Sequence, residues 1–183
     1  SFGKIGCFSV HPLKNLNACG DGGFITTNDE DIFLTARSLR NHGLVHRDTV
    51  AQFGYVSRMD TLQASILNYR LRKLEDVIAK RKENAEFYFK HLNRKHVSLP
   101  EEKEHEFNTY HTFVVQVQDR DELRIHCTTA GIETAIHYPT PIHLQPAAGN
   151  LGYKKGDFPV AEQQSDRILT LPIHQHLTAD DLE

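Results

Sequence analysis

The chain has 183 residues, of which 39% are hydrophobic and 25% charged, and this is ordinary for a globular protein with room for one core or for one and a half domains. Its 21 basic and 24 acidic residues are interleaved and give a formal net charge of −3, so no basic patch for nucleic acid or an anionic membrane is predicted. The sequence holds no bilayer-length apolar stretch and its first residues do not match a signal peptide, so we predict a cytoplasmic protein.

Two short strands are predicted at residues 5–10 and 24–27, where apolar and β-branched side chains cluster. The loop between them contains Lys14 and, further on, three glycines within four positions. Such glycines allow a backbone to approach another group closely. A helix is then predicted from the polar cap at residues 28–31 to Gly43, the natural left-handed terminator, and a polar loop to about residue 52.

Apolar residues recur at helical spacing from residue 60 to residue 92, which predicts one long helix or two with a bend. Beyond it, the pattern predicts a buried strand at 112–117, a helix at 120–130 closed by Gly131, and a second strand at 132–138. This order is typical of a small α/β domain. A further helix is predicted at 160–167, followed by the apolar run at 169–172. The last six residues resemble the capped first turn of a helix, so we expect the chain to be a fragment.

Lys14 lies in a glycine-flanked loop directly after a buried strand. A lysine held out of bulk water has a lowered pKa and becomes a nucleophile toward carbonyl carbon, which is the requirement of Schiff-base chemistry. Ser9, five residues earlier, would place a hydroxyl within reach of a phosphate near that amine. Taken alone, a loop lysine is usually only a solvated one.

The flanking sequence makes the assignment specific, because it closely resembles the cofactor-lysine region of the DegT/StrS family of sugar aminotransferases. The resemblance covers essentially the whole chain, in both residue types and spacing. Its main segments are residues 3–16, 20–29, 40–43, 54–66, 80–88, 136–146, 158–162 and 169–173.

This resemblance implies an α/β protein of the fold-type-I class of pyridoxal-phosphate-dependent transferases. Residues 1–60 would be the end of the large cofactor-binding domain, 61–92 a long connecting helix, and 93–183 a small, truncated carboxy-terminal α/β domain. It also implies a homodimer that moves an amino group from glutamate, or less often glutamine, to a keto carbon of a nucleotide-linked deoxysugar. Such sugars occur in cell-surface polysaccharides and secondary metabolites, and the sequence does not choose between them.

In this family frame, Lys14 would form the Schiff base with pyridoxal 5'-phosphate and then move a proton between cofactor and substrate, while Ser9 would bind the cofactor phosphate. The family usually has Asn where this chain has Val56, and that Asn reaches the partner's cofactor phosphate. Valine cannot donate that hydrogen bond, so Ser57 or Arg58 takes over, or one contact is lost. We assign Arg58 to the cofactor. Because the other cofactor ligands precede the lysine in the family, we expect the 183-residue chain alone to be inactive.

For the histidines and cysteines, ordinary structural roles remain as alternatives to functional ones. His137, Tyr138 and His143 lie in a proline-rich segment that matches the family's substrate-facing loop, and we predict substrate contacts for them, with polar loop residues as the equal alternative. Other histidine pairs, such as those at 174 and 176, have no third ligand at an expected interval, so no metal is predicted. The odd cysteine count favours reduced thiols.

Two rival functions remain. A sugar dehydratase of the same fold would carry histidine in place of Lys14, so the lysine argues against it. A non-catalytic regulatory or sensor protein would keep the fold and lose the chemistry, and the presence of both Ser9 and Lys14 counts against that.

Overall fold

A computed structural model describes residues 2–183 as two compact units, one ending at Glu75 and the other running from Asp76 to Glu183. In the first unit, β1 (Gly6–Ser9) pairs antiparallel with β2 (Gly23–Thr26). Helix α1 (Glu30–Leu39) and the small hairpin of β3 (Leu44–His46) and β4 (Thr49–Val50) follow, and the unit closes on α2 (Thr61–Leu71).

Local sequence accounts for several of these boundaries. Asp29 caps α1, its Oδ1 accepting the backbone N–H of Ile32 at 3.1 Å, and acidic residues in the first turn favour the same end of the helix. Gly43 has a φ of 75° and His42 a φ of 61°, so the chain leaves α1 through two left-handed residues. The predicted polar loop up to residue 52 contains the β3–β4 hairpin, which the sequence analysis missed.

The predicted helix of residues 61–92 is two helices. Helix α2 ends at Leu71, and α3 (Leu74–His91) begins after a two-residue turn. The boundary between the two units lies in the first turn of α3. Leu67 of α2 packs in the core of the first unit, whereas Ala85 of α3 packs in the core of the second.

The second unit consists of α3, β5 (Phe113–Gln116), α4 (Arg120–Thr129), α5 (Pro159–Arg167), β6 (Ile168–Leu171) and a final turn of helix, α6 (Ala179–Leu182). Strands β5 and β6 pair antiparallel, with Val114 opposite Thr170. The strand predicted at 132–138 is wrong as an extended element, because this segment makes one bridge, from Ala135 to Thr170. The prolines at 139 and 141 follow directly, so the segment turns away from the sheet.

The core of the second unit forms where α3 packs on one face of the β5–β6 pair. Its buried members are Ala85, Tyr110, Phe113, Val115, Leu169 and Ile173. Helix α3 also buries Arg81 and Asn84 on the face that carries Ala85. The Arg81 guanidinium donates to the carbonyl oxygens of Tyr110 and His111 at 3.0 and 3.2 Å, so the buried charge is satisfied by backbone acceptors. Within residues 2–183, no helix has both the length and the apolar character that a membrane span requires.

Candidate active site

The loop that holds Lys14 is closed by the buried residue Val10, which follows β1. The Val10 amide donates to the Gly22 carbonyl at 3.0 Å, and the Val10 carbonyl accepts the Ala18 amide at 2.8 Å. Val10 and Ala18 are 1% and 2% exposed and pack with Leu67 of α2. The loop is therefore anchored at both ends on a small core, and Lys14, half-buried, lies between the anchors.

A tight turn places Lys14 relative to Ser9. The Lys14 amide donates to the His11 carbonyl at 2.8 Å, and the His11 amide donates to the Ser9 hydroxyl oxygen at 3.3 Å. Since that oxygen accepts a hydrogen bond, the Ser9 hydroxyl hydrogen is directed elsewhere and suits an anionic acceptor. The amine, the hydroxyl and the loop backbone belong to one short, internally bonded segment.

Two consecutive glycines at the end of this loop lie close to the protein's own atoms. A Cβ on Gly22 would lie 2.9 Å from Met59 Cε and 3.1 Å from Val10 Cγ2, and a Cβ on Gly23 would lie 2.8 Å from the Phe8 carbonyl oxygen. The Phe8 carbonyl excludes a side chain at Gly23, whereas Gly22 is crowded by side chains, one of them the flexible end of Met59. The close approach predicted from the glycines is real, and the groups approached are a neighbouring side chain and strand.

Residues 55–57 lie against the end of α1. The Tyr55 amide donates to the Leu39 carbonyl at 2.7 Å and the Ser57 amide to the Arg40 carbonyl at 2.9 Å. Val56 forms a bridge with Asn41 and its side chain is exposed. The Arg58 Nη2 donates to Asn41 Oδ1. The Arg58 side chain is thus held by Asn41, and its assignment to the cofactor stays a prediction.

The three residues predicted to contact substrate, His137, Tyr138 and His143, line one cavity of about 600 Å³ in the second unit. Most of its wall is apolar or aromatic, contributed by Val114, Ile142, Leu151, Tyr153, Phe158 and Ile168. Tyr138 is 71% exposed. The cavity has the size and the apolar walls of a small-molecule site.

The two histidines of the cavity are bonded within the protein. His137 Nδ1 lies 2.9 Å from Thr170 Oγ1. His143 Nε2 lies 2.9 Å from Glu162 Oε1, and these two side chains are only 8% and 13% exposed. The Gly156 amide also donates to Glu162, at 2.8 Å to Oε1. This amide, followed by the His143 ring, holds the pKa of the Glu162 carboxyl below its usual value.

Sequence analysis did not identify two further features. Glu162 fastens the cavity loop as described, and Arg70 on α2 is bonded to the Lys14 loop, its Nη1 donating to the Asn17 carbonyl at 2.7 Å. Arg70 is seven residues after Gln63, on the same helix face, and Gln63 Oε1 accepts the Cys19 amide at 2.9 Å. That spacing was available in the sequence, but the loop that the helix face contacts was not. Among residues 2–183, no three His, Cys, Asp or Glu side chains are grouped as a metal site would require.

Comparison with known proteins gives one consistent family. The family model described as the DegT/DnrJ/EryC1/StrS aminotransferase family matches residues 1–183. A curated relative from Saccharopolyspora erythraea, the erythromycin biosynthesis sensory transduction protein EryC1, is 41% identical and is aligned over 94% of this chain and 48% of its own length. The dTDP-3-amino-3,4,6-trideoxy-alpha-D-glucose transaminase of Streptomyces venezuelae is 36% identical, over 95% of this chain and 46% of its own.

A solved structure agrees with the fold. The crystal structure of S. venezuelae DesV in complex with a ketimine intermediate superposes with a TM-score of 0.94 at 35% identity, covering 98% of this chain and 49% of that one. The chain spans about half the length of the relatives it matches.

Proposed function

The chain belongs to the DegT/DnrJ/EryC1/StrS aminotransferase family, and on this premise we propose that the protein is a pyridoxal-phosphate-dependent aminotransferase acting on a keto-deoxysugar of a nucleotide sugar. The observation that carries the proposal is the position of Lys14, half-buried in a loop anchored on both sides by Val10. The name of the Streptomyces venezuelae transaminase supports the substrate class.

The side chains present fit the cofactor by their chemistry. Pyridoxal phosphate, when bound, supplies an aldehyde for a lysine amine and an electron sink for the substrate's amino carbon. Lys14 offers the amine, the Ser9 hydroxyl donates to the phosphate, and the Arg58 guanidinium adds positive charge for the same group. With the cofactor held there, the Lys14 amine would carry a proton from the donor carbon to the cofactor, and later one from the cofactor to the sugar carbon.

The substrate side is proposed at the cavity of the second unit. Tyr138 presents its ring to this space and would contact the sugar nucleotide directly. His137 and His143 would shape the wall, because Thr170 and Glu162 hold their rings. Aromatic walls with few polar groups suit a flat or partly apolar ligand portion.

Three further parts of the proposal concern the amino donor, the oligomeric state and the cellular location. Glutamate, or glutamine, is the proposed amino donor, and a homodimer the proposed assembly, in keeping with the family resemblance. Phe53, Tyr55 and Val56 are exposed apolar side chains that a second subunit would cover. The free thiols of Cys7 and Cys19 favour a cytoplasmic location.

A regulatory role is the second candidate, because the relative EryC1 is named as a sensory transduction protein. Substituting Lys14→Ala in the full-length protein separates the two. If the protein is an aminotransferase, borohydride treatment should trap the cofactor on Lys14 in the parent protein, and the variant should lose both trapping and amino transfer. Lys4→Ala, an exposed lysine near the same strand, is the matched control and should keep both. Unchanged biological function in the Lys14→Ala variant would favour the regulator.

We also propose that the 183-residue chain alone is inactive, since Lys14, Ser9 and Arg58 are few ligands for this cofactor. Transamination by the purified chain, measured as transfer of amine to a nucleotide keto-sugar, would contradict this.

A further inference from the structure

Helix α2 holds the Lys14 loop through one arginine. The Arg70 Nη1 donates to three oxygens of two consecutive loop residues, at 2.7 Å to the Asn17 carbonyl, 2.9 Å to Asn17 Oδ1 and 3.3 Å to the Ala18 carbonyl. The guanidinium is partly buried. Hydrogen bonds from a charged donor with limited water access are stronger than neutral ones. A surface arginine serving only solubility would not converge on backbone acceptors in this way.

Asn17 transmits this contact toward Lys14. Its Oδ1 accepts from Arg70, and its Nδ2 donates to the Pro12 carbonyl at 2.7 Å, two residues before Lys14. The amide can satisfy both contacts in one orientation only, because Arg70 is solely a donor and a carbonyl solely an acceptor. The orientation of the Asn17 amide is therefore fixed. Its two hydrogen bonds connect Arg70 to the Pro12 carbonyl, and Asn17 and Pro12 lie on opposite sides of Lys14 in the sequence.

A second contact from the same face of α2 supports the first. Gln63 Oε1 accepts the Cys19 amide at 2.9 Å. Between the two contacts, Leu67 packs on Val10 and Ala18. The apolar contacts fix how close the loop lies to the helix, whereas the two polar contacts fix its orientation.

We propose that Arg70, acting through Asn17, is a positioning residue that orients the loop carrying the Lys14 amine. The inference rests on the proposed function only for its catalytic consequence. A shift of about 1 Å in a reacting group costs up to about a hundredfold in rate, and the loop has no strand or helix of its own between residues 11 and 22. Loss of the Arg70 contacts frees two carbonyls and one amide at its centre.

The test uses Arg70→Met in the full-length protein, with Arg72→Met as the matched control. Arg72 is two residues further along the chain, at the C-terminal cap of α2, and it donates to the Asn68 carbonyl of that helix. The first readout is the rate of Lys14 acetylation in cofactor-free protein, mapped by mass spectrometry against the other lysines and followed over pH. The second is the rate at which pyridoxal phosphate becomes trapped on Lys14 by borohydride.

We expect Arg70→Met to change the pH profile of Lys14 acetylation and to lower the trapping rate about tenfold or more, with Arg72→Met unchanged. Arg70→Lys, which keeps the charge but presents one donor group, should recover part of the rate. Faster hydrogen exchange of the amides at 17–19 should accompany the loss. A lower melting temperature with an unchanged Lys14 profile and unchanged trapping would overturn the inference, because the contact would then be structural only.

The two proposals fail separately. If the parent protein traps no cofactor on Lys14, the proposed function fails, and the acetylation profile still decides whether Arg70 orients the amine. If the parent traps cofactor and Arg70→Met does so at the same rate, the positioning role fails and the aminotransferase proposal stands.

Discussion

Strand β5 divides the second unit into a core side and a cavity side. Phe113 and Val115 point to the buried cluster, whereas Val114 between them lines the cavity. Phe113 is 0% exposed and Val114 is half-buried. Neighbouring positions on one strand should therefore differ sharply when truncated, Phe113→Ala affecting stability and Val114→Ala affecting the cavity.

The size of the Phe113→Ala effect follows from its neighbours. The ring lies among the rings of Tyr88, Phe89 and Tyr110, with centroids 5.0, 5.4 and 6.1 Å away. Truncating a fully buried phenylalanine costs about 3–5 kcal/mol. Three aromatic contacts are lost together, each worth about 0.5–1.5 kcal/mol, which favours the upper end of that range. Val114→Ala removes two methyl groups beside an existing space and should cost about 1 kcal/mol.

Urea unfolding followed by circular dichroism measures both variants. Phe113→Ala should lower the free energy of unfolding by several times the loss in Val114→Ala, at an unchanged dependence on urea. If the cavity is the proposed substrate site, Val114→Ala should instead alter the affinity for a nucleotide sugar. Equal losses in the two variants, or a Phe113→Ala cost near 1 kcal/mol, would refute the assignment of the two faces.

Two further predictions concern Glu162 and Gly43. The hydrogen bond from the Gly156 amide lowers the Glu162 pKa in the folded state. The carboxylate therefore stabilises the fold fully above its unfolded-state pKa, and this stabilisation is lost as pH falls through its folded-state pKa. Glu162→Gln should therefore narrow the difference in urea midpoint between neutral and acid pH, and an unaltered difference would contradict this. A Cβ on Gly43, at a φ of 75°, would lie 1.6 Å from the Gln52 carbonyl oxygen. Gly43→Ala should cost about 2 kcal/mol or more in urea unfolding, whereas Gly149→Ala, where an added Cβ has open space, should cost less, and equal losses would argue against the clash.

Local patterns predicted most elements because their causes are local. The cap at Asp29, the left-handed Gly43 and Gly131, and the alternation in β5 are all visible over a few residues. The strand predicted at 132–138 failed because pairing needs a partner along its length, and the segment makes a single bridge to β6 before the prolines at 139 and 141 turn it away. A propensity for strand is satisfied there by one bridge at Ala135.

The sequence motif of the Lys14 loop could be predicted, but the contacts that fix the position of the loop could not. Its lysine and serine come from consecutive sequence, but the contact that orients it joins Asn17 to Arg70, 53 residues apart. Helical periodicity shows that Gln63 and Arg70 share a face of α2, and nothing local shows what that face contacts. Long-range hydrogen bonds of this kind are determined by the fold.

His143 was predicted to contact substrate, and the structure gives its ring a partner within the protein. The proline-rich loop does line a cavity, but the His143 ring is 8% exposed and bonded to Glu162. Glu162 in turn accepts the Gly156 amide, so one carboxylate joins both ends of the loop that surrounds the cavity. A ligand reaching His143 would have to compete with that hydrogen bond, whereas one reaching Tyr138, 71% exposed, would not. These contacts support the proposal that Tyr138 touches the substrate directly and that His143 keeps the cavity wall in place.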